Sequence, residues 1–197
     1  MSGVVRGDDG LLRCPWGDGP PQMRAYHDEE WGRAATGERD LFERVTLEAF
    51  QSGLSWAVVL RKRERFRAVF AGFDAAVVAA FTETNVDALL GDPGIIRNRA
   101  KIEATITNAR AIAQMDEPLG DVVRRFVPSA ESAPPRTVAD VPSQTAESRA
   151  LAVDLRGRGL RFVGPTTAYA LMQATGIVDD HLADCHARRP LIAPIPR

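Results

Sequence analysis

"RGRGLRFVGPTTAYALMQATG", residues 156–176, decides how the rest of the chain is read. Two helical stretches, "AESRALAVDLRGRG" from 146 and "PTTAYALMQATG" from 165, flank the short break "LRFVG". Glycine and the Gly164–Pro165 pair punctuate that break, so the segment reads as two helices joined by a tight turn. Proline suits the first turn of the second helix, where its missing N–H has no intrahelical partner to lose. Outward from here the apolar periodicity stays helical. "ERDLFERVTLEAF" (38–50) sets Leu41, Phe42, Val45, Ala49 and Phe50 on one stripe. After the break "QSGLS" a second helix runs through "WAVVLRKRERFRAVFAGF" (56–73). "DAAVVAAF" and "NVDALL" read as short helices, with Asp74 and Thr84 as N-caps. "RNRAKIEATITNARAIAQM" reads as a long helix and "LGDVVRRFV" as a short one. Strand alternation and internal repeats are absent, so the expected fold class is all-α.

Composition agrees with a folded domain. The 197 residues are 45% hydrophobic and 26% charged, with a net charge of −1, which excludes disorder over the whole length. One domain is expected over 13–187, after a flexible extension at 1–12 and before a proline-rich tail at 188–197. Residues 128–144, "PSAESAPPRTVADVPSQ", form the clearest loop. No apolar run reaches the roughly 20 residues of a membrane helix, and "MSGVVRGDDG" lacks a signal core. A cytoplasmic protein without membrane contact is expected. Two cysteines make no disulfide framework. Nothing in the sequence sets an oligomeric state; a monomer is the expectation.

The break at 159–166 has a chemical use. Its residues follow the pattern h-x-G-h-G-x-x-T-A of a helix-hairpin-helix turn, with Phe162 in place of the first glycine. Backbone N–H groups at the start of the second helix carry partial positive charge and can receive a phosphate. Arg156, Arg158 and Arg161 add charge around them. By pattern alone, Gly-Pro between helices also fits a plain loop.

The two cysteines each have a histidine nearby, at opposite ends of the chain. Twelve residues separate Cys14 from His27, and three separate His181 from Cys185. Two thiolates and two imidazoles make a closed tetrahedral zinc set, and four protein ligands would leave no open position for catalysis. Such a set would clasp the two termini. Spacing equally admits buried apolar cysteines beside surface histidines.

Glu48 is out of place on its helix. It projects between Leu41 and Val45, on the apolar side rather than with the solvated charges. Carboxylates are rarely buried without a partner or a task. Trp56 follows shortly after it, while Trp16, Tyr26 and Trp31 fall early in the chain near Cys14 and His27, and rings beside a shielded carboxylate suit a flat, electron-poor or cationic guest. The alternative is a core of rings with a half-exposed Glu48 paired to Arg44.

In order along the chain, "AYHDEEWG", "LEAFQSGLSW", "GIIRNRAKI" and "RFVGPTTAYALMQATGIVDDH" resemble the bacterial 3-methyladenine DNA glycosylase I family, over about residues 13–186. The resemblance implies a helix-hairpin-helix glycosylase fold and a structural Zn2+ held by Cys14, His27, His181 and Cys185. It implies Glu48 as the pocket acid that recognises a methylated base. Tyr26 and Trp56 would stack on that base, with Trp16 closing the pocket. Leu54, in "SGLSW", matches the residue that enters the gap left in DNA, while Gly159, Arg161, Gly164 and Thr166 fall on the hairpin that meets the backbone. The implied partner is double-stranded DNA containing 3-methyladenine.

Two departures from the wider superfamily bear on mechanism. Its relatives place a catalytic aspartate after the second hairpin helix; Asp179 and Asp180 fall nearer the hairpin, and neither is assigned as the base. Bifunctional relatives carry a lysine near the hairpin, where this chain has "GPTTA", and its lysines are Lys62 and Lys101. A hydrolase without lyase activity is therefore expected. The rivals are a non-catalytic binder of alkylation damage with the same fold, and a small-molecule enzyme or zinc-stabilised interaction domain on a helical scaffold.

Overall fold

Residues 41–50 are buried without interruption, so helix α2 (Glu38–Gln51) is covered on all sides. A helix with apolar residues around its circumference belongs between two layers, and α2 lies there in this computed structural model, which describes residues 3–129 and 133–189. Leu41 and Val45 enter one core with Leu119, Val122, Leu151, Leu155, Ala168 and Met172. Phe42, Leu47 and Phe50 enter a second core with Val59, Phe66, Phe70, Ile102 and Ile106. The first core belongs to α7 (Leu119–Arg124), α8 (Ala146–Gly157) and α9 (Pro165–Ala174). The second belongs to α3 (Trp56–Val69), α4 (Ala75–Ala79), α5 (Glu83–Gly91) and α6 (Arg99–Ala113). Glu38, at the start of α2, accepts from the N–H groups of Leu119 (2.8 Å) and Gly120 (3.0 Å). It thus caps α7, which has no side-chain cap of its own.

The caps at α4 and α5 illustrate local logic. Asp74 accepts from the N–H groups of Ala76 and Val77, as its sequence position suggests. The cap of α5 is Thr82 rather than Thr84: Asn85 stands three residues after Thr82 and completes a reciprocal capping box. That adds a turn to the helix expected from "NVDALL". Helix α1 (Pro21–Glu29) is absent from the sequence reading. Pro20–Pro21 looks like a breaker, yet Pro21 occupies the first helical turn, where proline is tolerated.

The N-terminal segment departs from the expected flexible extension. Val5–Arg6 (β1) pairs antiparallel with Leu12–Arg13 (β2), in the register Val5↔Arg13 and Arg6↔Leu12. Two residues per strand are too few for alternation to be seen in the sequence. The pair is held by the buried Arg13, whose guanidinium bonds Asp9 and Asp28, and by the amide of His186 donating to Leu12 O at 2.9 Å. The two ends of the chain therefore meet. Of the proline-rich tail, residues 190–197 lie outside the described residues, as do residues 130–132 of the long loop, which otherwise holds one 3-10 turn at Val138–Asp140. Among the described residues no helix is long and apolar enough to cross a membrane.

Candidate active site

Glu48 is carried by α2 to the floor of a cavity of about 340 Å³, toward the small end of the ~300–1,000 Å³ usual for small-molecule sites. Glu48 is 6% exposed, and its carboxyl takes no hydrogen bond among the described residues. Burial pushes it up to about 8, against the opposing pull of the Arg44 charge. Arg44 is not its ion-pair partner. That guanidinium bonds Asp40, one turn earlier, and the carbonyls of Arg33 and Ala174.

Rings form the walls. Tyr26 from α1 and Trp56 from the first turn of α3 stand 5.1 Å apart, tilted by 45°. Trp16 lies 6.3 Å from Tyr26 and meets Trp31 edge-on at 4.9 Å. Tyr26, Trp56, Trp16 and Glu48 all line one cavity. Trp31 lines it as well, and the polar groups Gln51, Gln173 and Asp180 add to the lining without a signal for them in the sequence reading. Gln51 was within reach, since it follows Glu48 by three residues on the same helix face. Gln173 and Asp180 were not. Asp180 accepts from Tyr169 Oη (2.6 Å) and Gln173 Nε2 (2.7 Å), partners supplied only by the fold. Asp179 turns the other way, to His181 Nδ1.

The cysteine and histidine side chains lie immediately behind these rings. Ligand atoms of Cys14, His27 and Cys185 fall within 4.8 Å of one another, all buried. Cys185 Sγ is 3.5 Å from His27 Nε2, and Leu182 N–H donates to Cys14 Sγ at 3.4 Å. The His181 ring is centred 5.1 Å from that of His27. Each imidazole is oriented through Nδ1, His27 by Asp28 Oδ1 at 2.7 Å and His181 by Asp179 Oδ1 at 2.8 Å. His181 Nε2 is buried with no hydrogen-bond partner. Glycine is needed against both rings. A Cβ on Gly17 would lie 2.4 Å from the His27 ring, and one on Gly32 (φ +76°) 2.9 Å from His181 Cε1. Of the two thiols Cys185 is the more acidic, held below the usual thiol range by hydrogen bonds from Cys14 and then His27 against the opposing effect of burial. That same bond, and burial, push Cys14 above the usual thiol range.

The residues expected to meet DNA occupy two turns. Leu54 follows Gly53 between α2 and α3 and is 40% exposed. Gly159, Arg161, Gly164 and Thr166 lie on the turn between α8 and α9, where Gly164 is the N-cap and Arg161 and Thr166 are exposed. Arg158 does not add free charge as expected, because Asp154 and Glu117 bind it. Both lysines are committed to carbonyls: Lys62 to Pro93, and Lys101 to Phe50 and Ser52.

This arrangement has known counterparts. The chain is 47% identical over 181 residues to DNA-3-methyladenine glycosylase 1 of Escherichia coli (strain K12), covering 89% of this chain and 96% of that protein. It is 42% identical over 179 residues to DNA-3-methyladenine glycosylase of Haemophilus influenzae, covering 88% and 96%. The fold overlays that of 3-methyladenine DNA glycosylase I from Staphylococcus aureus, solved for its recognition of 3-methyladenine. There the TM-score is 0.84 at 28% identity, over 90% of this chain and 97% of that one. The family model for methyladenine glycosylase matches residues 16–189, a span that takes in the whole ring wall, Glu48, the hairpin and all but the first of the four cysteine and histidine positions, and the chain belongs to that family.

Proposed function

We propose that this protein is a DNA glycosylase that excises 3-methyladenine from alkylated DNA by hydrolysis and leaves an abasic site. The observation that carries the reading is Glu48, a buried carboxyl without a hydrogen-bond partner among the described residues, in the lining of a ring-walled cavity. A neutral guest gives such a group no reason to ionise. A flat cation does, because it supplies the missing counter-charge and ring faces attract it as well.

Methylation at N3 leaves the adenine cationic, so its bond to deoxyribose is weakened and the base departs neutral without a proton from the enzyme. The duplex would meet the hairpin at 159–166, and the lesion would leave the stack at little cost because its pairing is already impaired. Leu54 stands on an exposed turn suited to the vacated space. The extruded base would lie against Tyr26 and Trp56, with Trp16 beside them and Glu48 accepting from its edge. Water then bonds to the sugar carbon as the carbon–nitrogen bond breaks. Unmodified adenine carries no charge and would leave Glu48 protonated and uncompensated. Lyase chemistry is not expected, since each lysine is engaged with backbone carbonyls and neither lines the cavity.

The cysteine–histidine cluster fits a structural zinc ion. Tetrahedral bonds of about 2.3 Å to sulfur and 2.1 Å to nitrogen set those atoms about 3.6 Å apart, close to the 3.5 Å between Cys185 Sγ and His27 Nε2. His181 Nε2 is the remaining donor, dry and unpaired, and each imidazole has the carboxylate behind it that metal-binding histidines usually have. Bound there, the ion supplies cross-linking of the termini, through Cys14, His27, His181 and Cys185. The reading also has the protein acting as a monomer in the cytoplasm.

The test is a base-release assay. Incubated with methylated duplex DNA, the protein is expected to yield free 3-methyladenine by chromatography and alkali-labile abasic sites in otherwise intact strands. Retention of methylated DNA without free base would instead mark a non-catalytic binder.

A further inference from the structure

Phe162 holds a backbone conformation suited to glycine, with φ +56°, which costs energy in any residue with a Cβ. Phe73 is an internal comparison. Its φ is +55°, but its ring is completely buried against Phe42 and Phe70, so burial offsets the conformational cost. Phe162 has far less such compensation, since the residue is 44% exposed although Leu160 and Val163 nearby are buried. The turn is also unable to relax. Asn108 of α6 grips Arg161 twice, its side-chain oxygen accepting from Arg161 N–H at 2.6 Å and its amide donating to Arg161 O at 3.1 Å. A strained, half-exposed aromatic residue is thus held in place by a rigid support, and among the described residues its ring stacks on no other ring.

Its surroundings indicate a use for it. Arg156 and Arg161 are exposed and make no ion pair among the described residues, while Arg158 between them is occupied by Asp154 and Glu117. An apolar side chain on the same turn as two unpaired guanidinium groups, directly after Arg161, matches a phosphate backbone with sugars and base edges behind it. The same helix also braces the other exposed turn. Lys101 donates to Phe50 O (2.9 Å) and Ser52 O (2.7 Å), just before Leu54. Lys101 and Asn108 are seven residues apart, which places them on nearly the same face of α6, about 10 Å along its axis. One helix therefore sets the separation of the two turns that carry Leu54 and Phe162.

We propose that Phe162 is a DNA-contacting side chain whose ring packs on the sugar and base edges of the duplex while Arg156 and Arg161 meet phosphates, at a fixed spacing from Leu54. The proposal rests on the glycosylase reading above and adds an apolar contact independent of sequence.

The experiment compares the full chain with Phe162→Gly and Phe162→Leu. It measures Tm, and affinity by anisotropy for a duplex containing a tetrahydrofuran abasic analogue, across a salt series. Phe162→Gly relieves the backbone and is expected to hold or raise Tm. It should weaken binding about tenfold, as loss of a ring contact does, without changing the slope of affinity against salt, because no phosphate contact is lost. Phe162→Leu should keep most of the affinity. Unchanged binding by Phe162→Gly would overturn the proposal, and so would a loss accompanied by a flatter salt slope or a lower Tm. A wild-type protein that neither binds the duplex nor releases base would remove the glycosylase reading together with this inference. A wild type that does both, beside an indistinguishable Phe162→Gly, removes the inference alone.

Discussion

Glu48→Gln is expected to slow release of 3-methyladenine by about a hundredfold or more while the protein folds at least as well as before. Glutamine keeps the shape and an acceptor oxygen but cannot carry the negative charge that opposes the cationic base, and a lost charge stabilisation in a water-poor site typically costs about 10²–10³ in rate. Stability should move the other way. The free carboxyl, ordinarily at 4.5, is pushed to about 8 by burial. Below 4.5 the native and unfolded states are both protonated and the group makes no difference. As pH rises from there to about 8, the unfolded chain ionises and the native one does not, so native stability falls through that window. Glutamine does not titrate. The Tm of Glu48→Gln should therefore match wild type near pH 4.5, exceed it increasingly toward pH 8, and keep a constant margin above. For the same reason, capture of a cationic base near pH 7 should release a proton, detectable as a buffer-dependent binding heat in calorimetry. A folded Glu48→Gln that excises at the wild-type rate would remove the electrostatic account of recognition.

Cys14→Ser is expected to abolish stoichiometric zinc and to lower stability by about 4 kcal/mol, on the order of 10 °C in Tm for a chain of this size. The magnitude follows from how little else is available at the junction. The apolar cluster there consists of Cys14, Leu182, Cys185 and Ala187, with Val4 and Trp16 at its edge, and two residues per strand give β1 and β2 few backbone bonds. Without the ion, two thiols and two imidazoles are buried with poor partners. The measurements are metal content per chain, Tm with and without a chelator, and the rate of proteolysis ahead of residue 14. Wild-type protein with no bound zinc and a chelator-insensitive Tm would eliminate the clasp.

Periodic features of this protein are legible in its sequence, and features made by convergence are not. Helix α2 and the α8–α9 hairpin can be read because stripe, break and proline position are local signals. The same local reading misses α1, since a proline pair signals a break whether or not a helix starts inside it. It places the cap of α5 two residues late because Thr82 and Thr84 are equivalent until Asn85 is seen to reciprocate. Glu48 is suspect on its helix face alone, and Tyr26, Trp16 and Trp56 follow from the family resemblance. Asp180 and Gln173 reach the cavity only because α9 and the segment after it fold against α1 and α2. Arg158 looks like a free cation until Glu117, far earlier in the chain, is placed beside it. The other partner of Arg158, Asp154, lies one helical turn before it and is legible from spacing, whereas Glu117 is not.

The ring wall has an optical consequence. All three tryptophans of the chain, Trp16, Trp31 and Trp56, border the one cavity, and Trp31 meets His181 edge-on at 4.5 Å. Tryptophan emission therefore originates at this cavity alone. The molecule contains its own spectroscopic probe, one that senses a captured purine from one side and, through Trp31 beside His181, any change at the cysteine–histidine cluster from the other, with no tryptophan signal from elsewhere in the fold.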